Sequence, residues 1–197
     1  MNWIDPSAMV GSLVSLEPLR AEHSDELLAA ADSPDIFRWT GSVISDRADA
    51  DKYIAVAQAD PRRHAFLQRN IATGAACGTT SYYQIDEANR SVAVGYTWLS
   101  VSAHGTGINA ESKLLLLQRA FDEAHAVRVE WHTDEFNAHS RAAIAKLGAS
   151  FEGLLRKHRR RVDGSWRTTA LFAMTDDDWP AAKKSLQGRV AEVQHSR

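Results

Sequence analysis

Between residues 64 and 134 the periodicity of the chain changes twice, and this constrains the fold more than any other feature. Three runs, HAFLQRNIAT, ACGTTSYYQI and SVAVGYTWLS, have strand character. A turn containing Gly74 and the polar turn DEANR separate them, so they read as a meander. Helical spacing follows in AESKLLLLQRAFDEAH, and strand character returns in VRVEWHTD. A strand, a helical crossover and a second strand of one sheet run parallel. The sheet is therefore mixed, with its parallel pair on either side of that helix.

The remaining segments extend this plan. SLVSLEP, residues 12–18, is a first strand ended by Pro18. Two amphipathic helices follow: one with Leu27, Leu28 and Ala31 on its apolar side, closed by Pro34, and one over 48–59 with Tyr53, Ile54 and Ala57, closed by Pro61. NAHSRAAIAKLG is helical again, with Gly148 as its C-terminal cap. ASFEGLLRKHRRRVDGSWRTTALFAMT then reads as a long hairpin turning at Asp163-Gly164. The order β, α, α, β, β, β, α, β, α, β, β contains no repeat or linker, and 197 residues suit one domain spanning 1–197.

Composition excludes several classes. Hydrophobic residues at 44 % and charged residues at 24 % are those of a soluble globular chain with no membrane span. A net charge of -2 argues against a protein that holds nucleic acid by counterion release, and the basic run RKHRRR reads as a solvated strand face. Cys77, the single cysteine, excludes an internal disulfide and a cysteine-rich metal site, and no metal is expected. The N-terminal MNWIDPSAMV lacks an export signature, which places the protein in the cytoplasm.

The loop AHGTGINAESK stands between the fourth strand and the crossover helix, where α/β sheets bind anions on free helix N–H groups. No Lys-Ser/Thr pair follows Gly107, so a nucleotide P-loop is ruled out. A dinucleotide fingerprint tolerates Ala110 and finds an acidic residue in Glu130, but the preceding meander is wrong for it. The pyrophosphate of coenzyme A on successive backbone N–H groups is a third reading. A glycine pair that merely permits a tight turn is a fourth.

A second pattern bears on the choice. NAHSRAAIAKLG follows a strand ending in Thr-Asp and has the form N-x-x-S-x-x-x-(apolar)-x-K-x-G. Together with GYTWLS, HGTGIN, FEGLLRKH and DDDWP, it resembles the GNAT superfamily of acyl-CoA N-acyltransferases, in the RimJ/RimL-like branch of ribosomal-protein Nα-acetyltransferases. The resemblance runs from about residue 12 to about residue 185, and five motifs stand in register.

The resemblance implies an α/β (mixed α+β) fold with about seven mostly antiparallel strands, a parallel pair at the fourth and fifth strands splayed for acyl-CoA, and about four helices. It implies acetyl-CoA, or another short acyl-CoA, as the group donor. Its pantetheine arm would pair with Trp98, Leu99 and Ser100, and its pyrophosphate would lie on His104, Gly105, Thr106, Gly107, Ile108 and Asn109. Ser102 departs from the family in lacking a long donor side chain, which leaves the phosphates to backbone N–H groups. Asn137 and Ser140 share a helix face; Ser140 would protonate the leaving thiolate and Asn137 would orient the arm. The plainer reading makes Asn137 only a helix N-cap. Phe37, Trp39, Tyr82, Tyr96, Trp98 and His158 are candidates for the acceptor pocket, although strand aromatics are often core.

A second departure concerns the base. Where relatives read E-I-G-Y-T-W-L this chain reads A-V-G-Y-T-W-L, so Ala93 stands where a general-base Glu is expected. An α-amine with pKa near ~7.8 is roughly one-quarter deprotonated at pH ~7.4, against about 0.1 % for a lysine near ~10.4. General-base help is typically worth about 10²- to 10⁴-fold, so its loss harms transfer to lysine far more. Glu130, His132 and Asp134 alternate along one strand face and are the substitutes in view. The reading is thus acyl transfer to a primary amine, either a protein N-terminus or a small molecule, by direct attack in a ternary complex. The oxyanion would be held by backbone N–H groups near the fourth-strand bulge. A catalytically degenerate acyl-CoA-binding module and a dinucleotide oxidoreductase are the competing classes, and a homodimer is left open.

Overall fold

The computed structural model describes residues 3–161 and 163–195. Eight strands form one sheet: β1 Met9–Val10, β2 Val14–Pro18, β3 His64–Asn70, β4 Ala76–Asp86, β5 Ser91–Leu99, β6 Arg128–Asp134, β7 Ser150–Arg160 and β8 Trp166–Thr175. Their order across the sheet is β1-β2-β3-β4-β5-β6-β8-β7. Five helices accompany them: α1 Ser24–Ala30, α2 Arg47–Ala59, α3 Ile108–Gln118, α4 Ala138–Ala145 and α5 Trp179–His195. The expected seven strands and four helices thus become eight and five. The additions are the two-residue β1 and the C-terminal α5.

Alternation along the strands sorts the core into two halves. Phe66 packs into a cluster with Tyr82, Val94, Leu116 and Leu117, whereas its neighbour Leu67 packs into a second cluster with Leu27, Ile54, Phe37 and Trp98. One face of the sheet is therefore covered by α3 and α5, and the other by α1 and α2. α5 docks through Trp179, Ala182, Leu186 and Val190, one helical stripe buried throughout.

Among the described residues the only parallel ladder joins β5 to β6, and it is short. Its register runs Ser91↔Arg128, Val92↔Val129 and Ala93↔Glu130, yet β5 continues to Leu99 and β6 to Asp134. Beyond Ala93, β5 keeps a ladder with β4 alone. The two strands diverge toward their carboxyl ends, where the N-termini of α3 and α4 follow. A bulge sharpens the divergence: Ser81 faces Gly95 and Thr79 faces Trp98, so Tyr96 and Thr97 oppose Thr80 alone, and Tyr96 takes φ 50°.

Candidate active site

On the α3 face of the cleft, backbone does most of the work. After β5 a short 3-10 turn, Val101–Ala103, leads to Gly105 at φ 74° and Gly107 at φ 84°, and Gly107 is the N-cap of α3. A Cβ at Gly107 would lie 3.0 Å from Leu13 and Val193, so packing and conformation both demand glycine there. A Cβ at Gly105 would meet nothing within 4 Å, so only its left-handed conformation favours glycine. Among the described residues the N–H groups of Gly105, Gly107, Ile108 and Asn109 have no backbone partner. Free donors at a helix N-terminus beside an unpaired strand edge suit a pyrophosphate joined to an amide-bearing arm, so these residues fit acyl-CoA. His104 has turned inward, its Nε2 3.2 Å from the Leu99 carbonyl oxygen, while Ser100 and Ser102 contact each other through their hydroxyls at 3.1 Å.

Glu111 fixes this loop in place. Its buried carboxylate accepts from the N–H groups of Ser12, Leu13 and Val14 at 2.9, 2.6 and 2.9 Å and from the Ser12 hydroxyl at 2.6 Å. The first turn of α3 is thereby tied to the β1–β2 turn. Two positions on, Lys113 is buried without a carboxylate, its Nζ 2.9 and 2.7 Å from the hydroxyls of Thr80 and Thr97 at the bulge. Burial pulls its pKa down to about 7.

α4 begins at the other lip. Asn137 is its N-cap, the side-chain oxygen accepting from the Ser140 N–H at 3.0 Å. That bond gives Asn137 a structural task whatever else it does. The half-buried Ser140 hydroxyl makes no hydrogen bond among the described residues.

The opposite face is built from side chains. Tyr83 and Glu130 lie level with Ala93 on its two neighbouring strands, and Ala93 is 1 % exposed. The Tyr83 hydroxyl shares a hydrogen bond with His132 Nδ1 at 2.7 Å, and His132 Nε2 is 3.5 Å from Glu130. Burial, with His158, Arg159 and Arg167 nearby, outweighs Glu130 and lowers the His132 pKa to about 4, so the ring is neutral at physiological pH. Glu130 is held by Arg128 at 2.6 Å. Asp134 is held by Arg161 at 2.7 and 3.1 Å and by the Phe136 N–H at 3.0 Å. Of the three substitutes for the missing base, Asp134 is thus occupied in structure. Buried Arg63 lies 3.7 Å over the Tyr96 ring and donates to Ser81 and to the Tyr53 hydroxyl at 3.1 and 3.3 Å.

The structure corrects one pocket residue. Tyr82 is fully buried beneath α3, its hydroxyl donating to the Leu116 carbonyl, so it is core on the wrong face. Tyr83, unremarked in the sequence, lies on the open side instead, because register with β5 sets it level with Ala93 and turns it away from Tyr82. Tyr96 is 42 % exposed, and His158 donates to or accepts from the Thr169 hydroxyl at 3.1 Å beside His132. Trp39 is exposed under Arg38, and Phe37 and Trp98 pack edge to face at 5.2 Å in the second core cluster.

A splayed parallel pair, a glycine loop with free N–H groups at the crossover helix and a polar cleft across the sheet define an acyl-CoA-dependent N-acetyltransferase. The chain belongs to the GNAT acetyltransferases: residues 14–150 match the family described as "Acetyltransferase (GNAT) domain". A GCN5-related N-acetyltransferase of Brucella melitensis is 30 % identical, covers 94 % of this chain and 86 % of its own, and superposes with a TM-score of 0.90. Mycobacterium smegmatis RimJ, solved with CoA-disulfide, is 25 % identical over 89 % of this chain and 88 % of its own, with a TM-score of 0.75. The Bacillus subtilis (strain 168) protein named "Putative ribosomal N-acetyltransferase YdaF" is 27 % identical over 173 residues, 85 % of this chain and 92 % of its own. The RimJ/RimL-like branch fits these relatives. Among the described residues, no helix is long and apolar enough to cross a membrane.

Proposed function

We propose that this enzyme moves an acetyl or other small acyl group from acyl-CoA to a weakly basic primary amine, an N-terminal α-amine or a small-molecule amine, by direct attack in a ternary complex in the cytoplasm. The observation that carries this reading is the absence of a strong base around Ala93. Glu130 and Asp134 are each held by an arginine, and His132, with a pKa of about 4, is a weak proton acceptor. An acceptor that is already partly deprotonated near neutral pH needs little help; a lysine side chain needs a great deal.

The chain's own groups support the other roles. The backbone at the Tyr96–Thr97 bulge, which Lys113 pins through the Thr97 hydroxyl, is where N–H groups would meet the oxyanion. Ser140, with its hydroxyl free at the start of α4, is the donor of a proton to the leaving thiolate, and Asn137 holds the turn that presents it. The test is thiol release against pH with matched amines. The rate on an α-amine should climb with pH and level off near that amine's own pKa. A limb fixed at one pKa whatever the amine would assign the proton to a group of the enzyme and end the unaided-amine reading. Thiol release on no amine, with acyl-CoA still bound, would leave a binding module.

A further inference from the structure

Two arginines stand opposite each other on the open face, and among the described residues neither has a carboxylate within ion-pair distance. Arg159 of β7 and Arg167 of β8 are directly paired in register, both half-buried. Like charges so placed repel, and a guanidinium cannot escape by losing its proton. Among the described residues Arg167 donates only to the neutral Thr169 hydroxyl, at 2.9 Å. Arg159 has neither a side-chain hydrogen bond nor an ion pair among the described residues.

The nearby carboxylates are committed elsewhere. Glu130 and Glu152 share Arg128 at 2.6 and 2.8 Å, and Asp134 holds Arg161 at 2.7 Å. The rest of the neighbourhood is basic. A distortion in β7 between Leu155 and Arg159, where Lys157 takes φ 50°, brings His158 round to within 5.8 Å of the His132 ring. Thr169, which takes contacts from both Arg167 and His158, pairs with Asp134 two residues beyond His132, which places the arginine pair beside the acceptor cleft rather than at the loop for the acyl donor. On the far side of Tyr96, Arg63 is buried with hydroxyls and a ring for company and no carboxylate.

We propose that the acceptor is a primary amine that also bears a negatively charged group, a carboxylate or a phosphate, seated between Arg159 and Arg167 with His158 beside it. The proposal rests on transfer to an amine and narrows it to amino acids, phosphorylated amines or N-termini whose first residue is acidic. Two guanidinium forks on adjacent strands match the oxygens of one such anion and would relieve the repulsion between them.

The experiment is thiol release from acetyl-CoA with acceptors paired by shape and differing in charge. Aspartate amide is set against asparagine amide, O-phosphoethanolamine against ethanolamine, and peptides beginning with Asp against those beginning with Asn. The expected result is a kcat/KM at least about tenfold higher for the anionic member of one or more pairs, from a lower KM, as two charge-assisted contacts would give. In the Arg159→Gln, Arg167→Gln double variant the ratio should fall to within about twofold of unity. Acetyl-CoA titration of the same variant checks its fold. Which pair discriminates most distinguishes carboxylate from phosphate and a free amine from a peptide. Transfer that proceeds with no preference for charge, or a ratio that survives the double substitution, overturns the anion site while leaving acyl transfer intact. Thiol release on no amine at all overturns both.

Discussion

The two faces of the sheet at the cleft are built on different principles. On the α3 face, glycines with positive φ, free N–H groups and a carboxylate buried among N–H donors make a site whose specificity lies in main-chain geometry. On the α2 face, tyrosines, histidines and arginines line the cleft, and under the proposed function its specificity lies in charge and hydroxyls. A main-chain site changes little when side chains change, so it suits a donor common to many enzymes. A side-chain site changes with single substitutions, so it suits an acceptor that each enzyme selects for itself.

The strongest challenge to this contrast is Lys113, an amine buried without a carboxylate on the side built from main-chain groups. Its folded pKa of about 7 lies below the ordinary 10.5. Between those values the unfolded chain binds more protons, so stability should rise with pH across that window, by a few kcal/mol in all. Denaturant midpoints measured from pH 7 to 10.5 should show this rise, and Lys113→Met should flatten it. A flat profile in the parent protein would mean that the lysine keeps its charge when folded.

Glu111→Ala leaves three N–H groups and a hydroxyl without their acceptor, at a cost of about 4 kcal/mol and a Tm lower by roughly 10 °C. Affinity for CoA should fall with it. Ser140→Ala should lower turnover about 10²-fold with acetyl-CoA binding unchanged, because a proton donated to the thiolate matters only in the transition state. Unchanged turnover would reduce this residue to part of a helix turn.

Gly105→Ala is the cleanest probe of the loop, since the added methyl meets no protein atom within 4 Å. The left-handed conformation costs about 1 kcal/mol, whereas CoA and acetyl-CoA should both bind about tenfold more weakly. Equal affinity in mutant and parent would mean that no phosphate lies there. The smallest effect belongs to His132→Gln, which can keep an acceptor for the Tyr83 hydroxyl. As so weak a base contributes little, turnover on an α-amine should fall less than about tenfold. A fall of about 10²-fold or more would make the acceptor side a true acid–base site.

The same contrast explains what could be read from the sequence. The meander, the crossover helix, the loop and the Asp163-Gly164 hairpin are local patterns, and all are present where spacing and turn residues place them. α5 carries a readable stripe at Trp179, Ala182, Leu186 and Val190, but charged residues and Gly188 dilute it. β1 is too short to show a period. The acceptor side depends on register, which is not local. Nothing in the pair Tyr82-Tyr83 says which ring faces out, and only the ladders place Glu130 beside Ala93 or Arg159 opposite Arg167.

Among the described residues, the only ladder between the β1–β5 half of the sheet and the β6–β8 half is three rungs long, flanked by the Val127 N–H to Arg90 carbonyl bond and the Tyr83–His132 contact. The hydrogen bonding between the two halves is thus concentrated in one short seam. A wedge entering the open end therefore has leverage on the whole assembly. Filling the cleft should slow amide exchange at Val92 and Val129, which pair with each other in the seam.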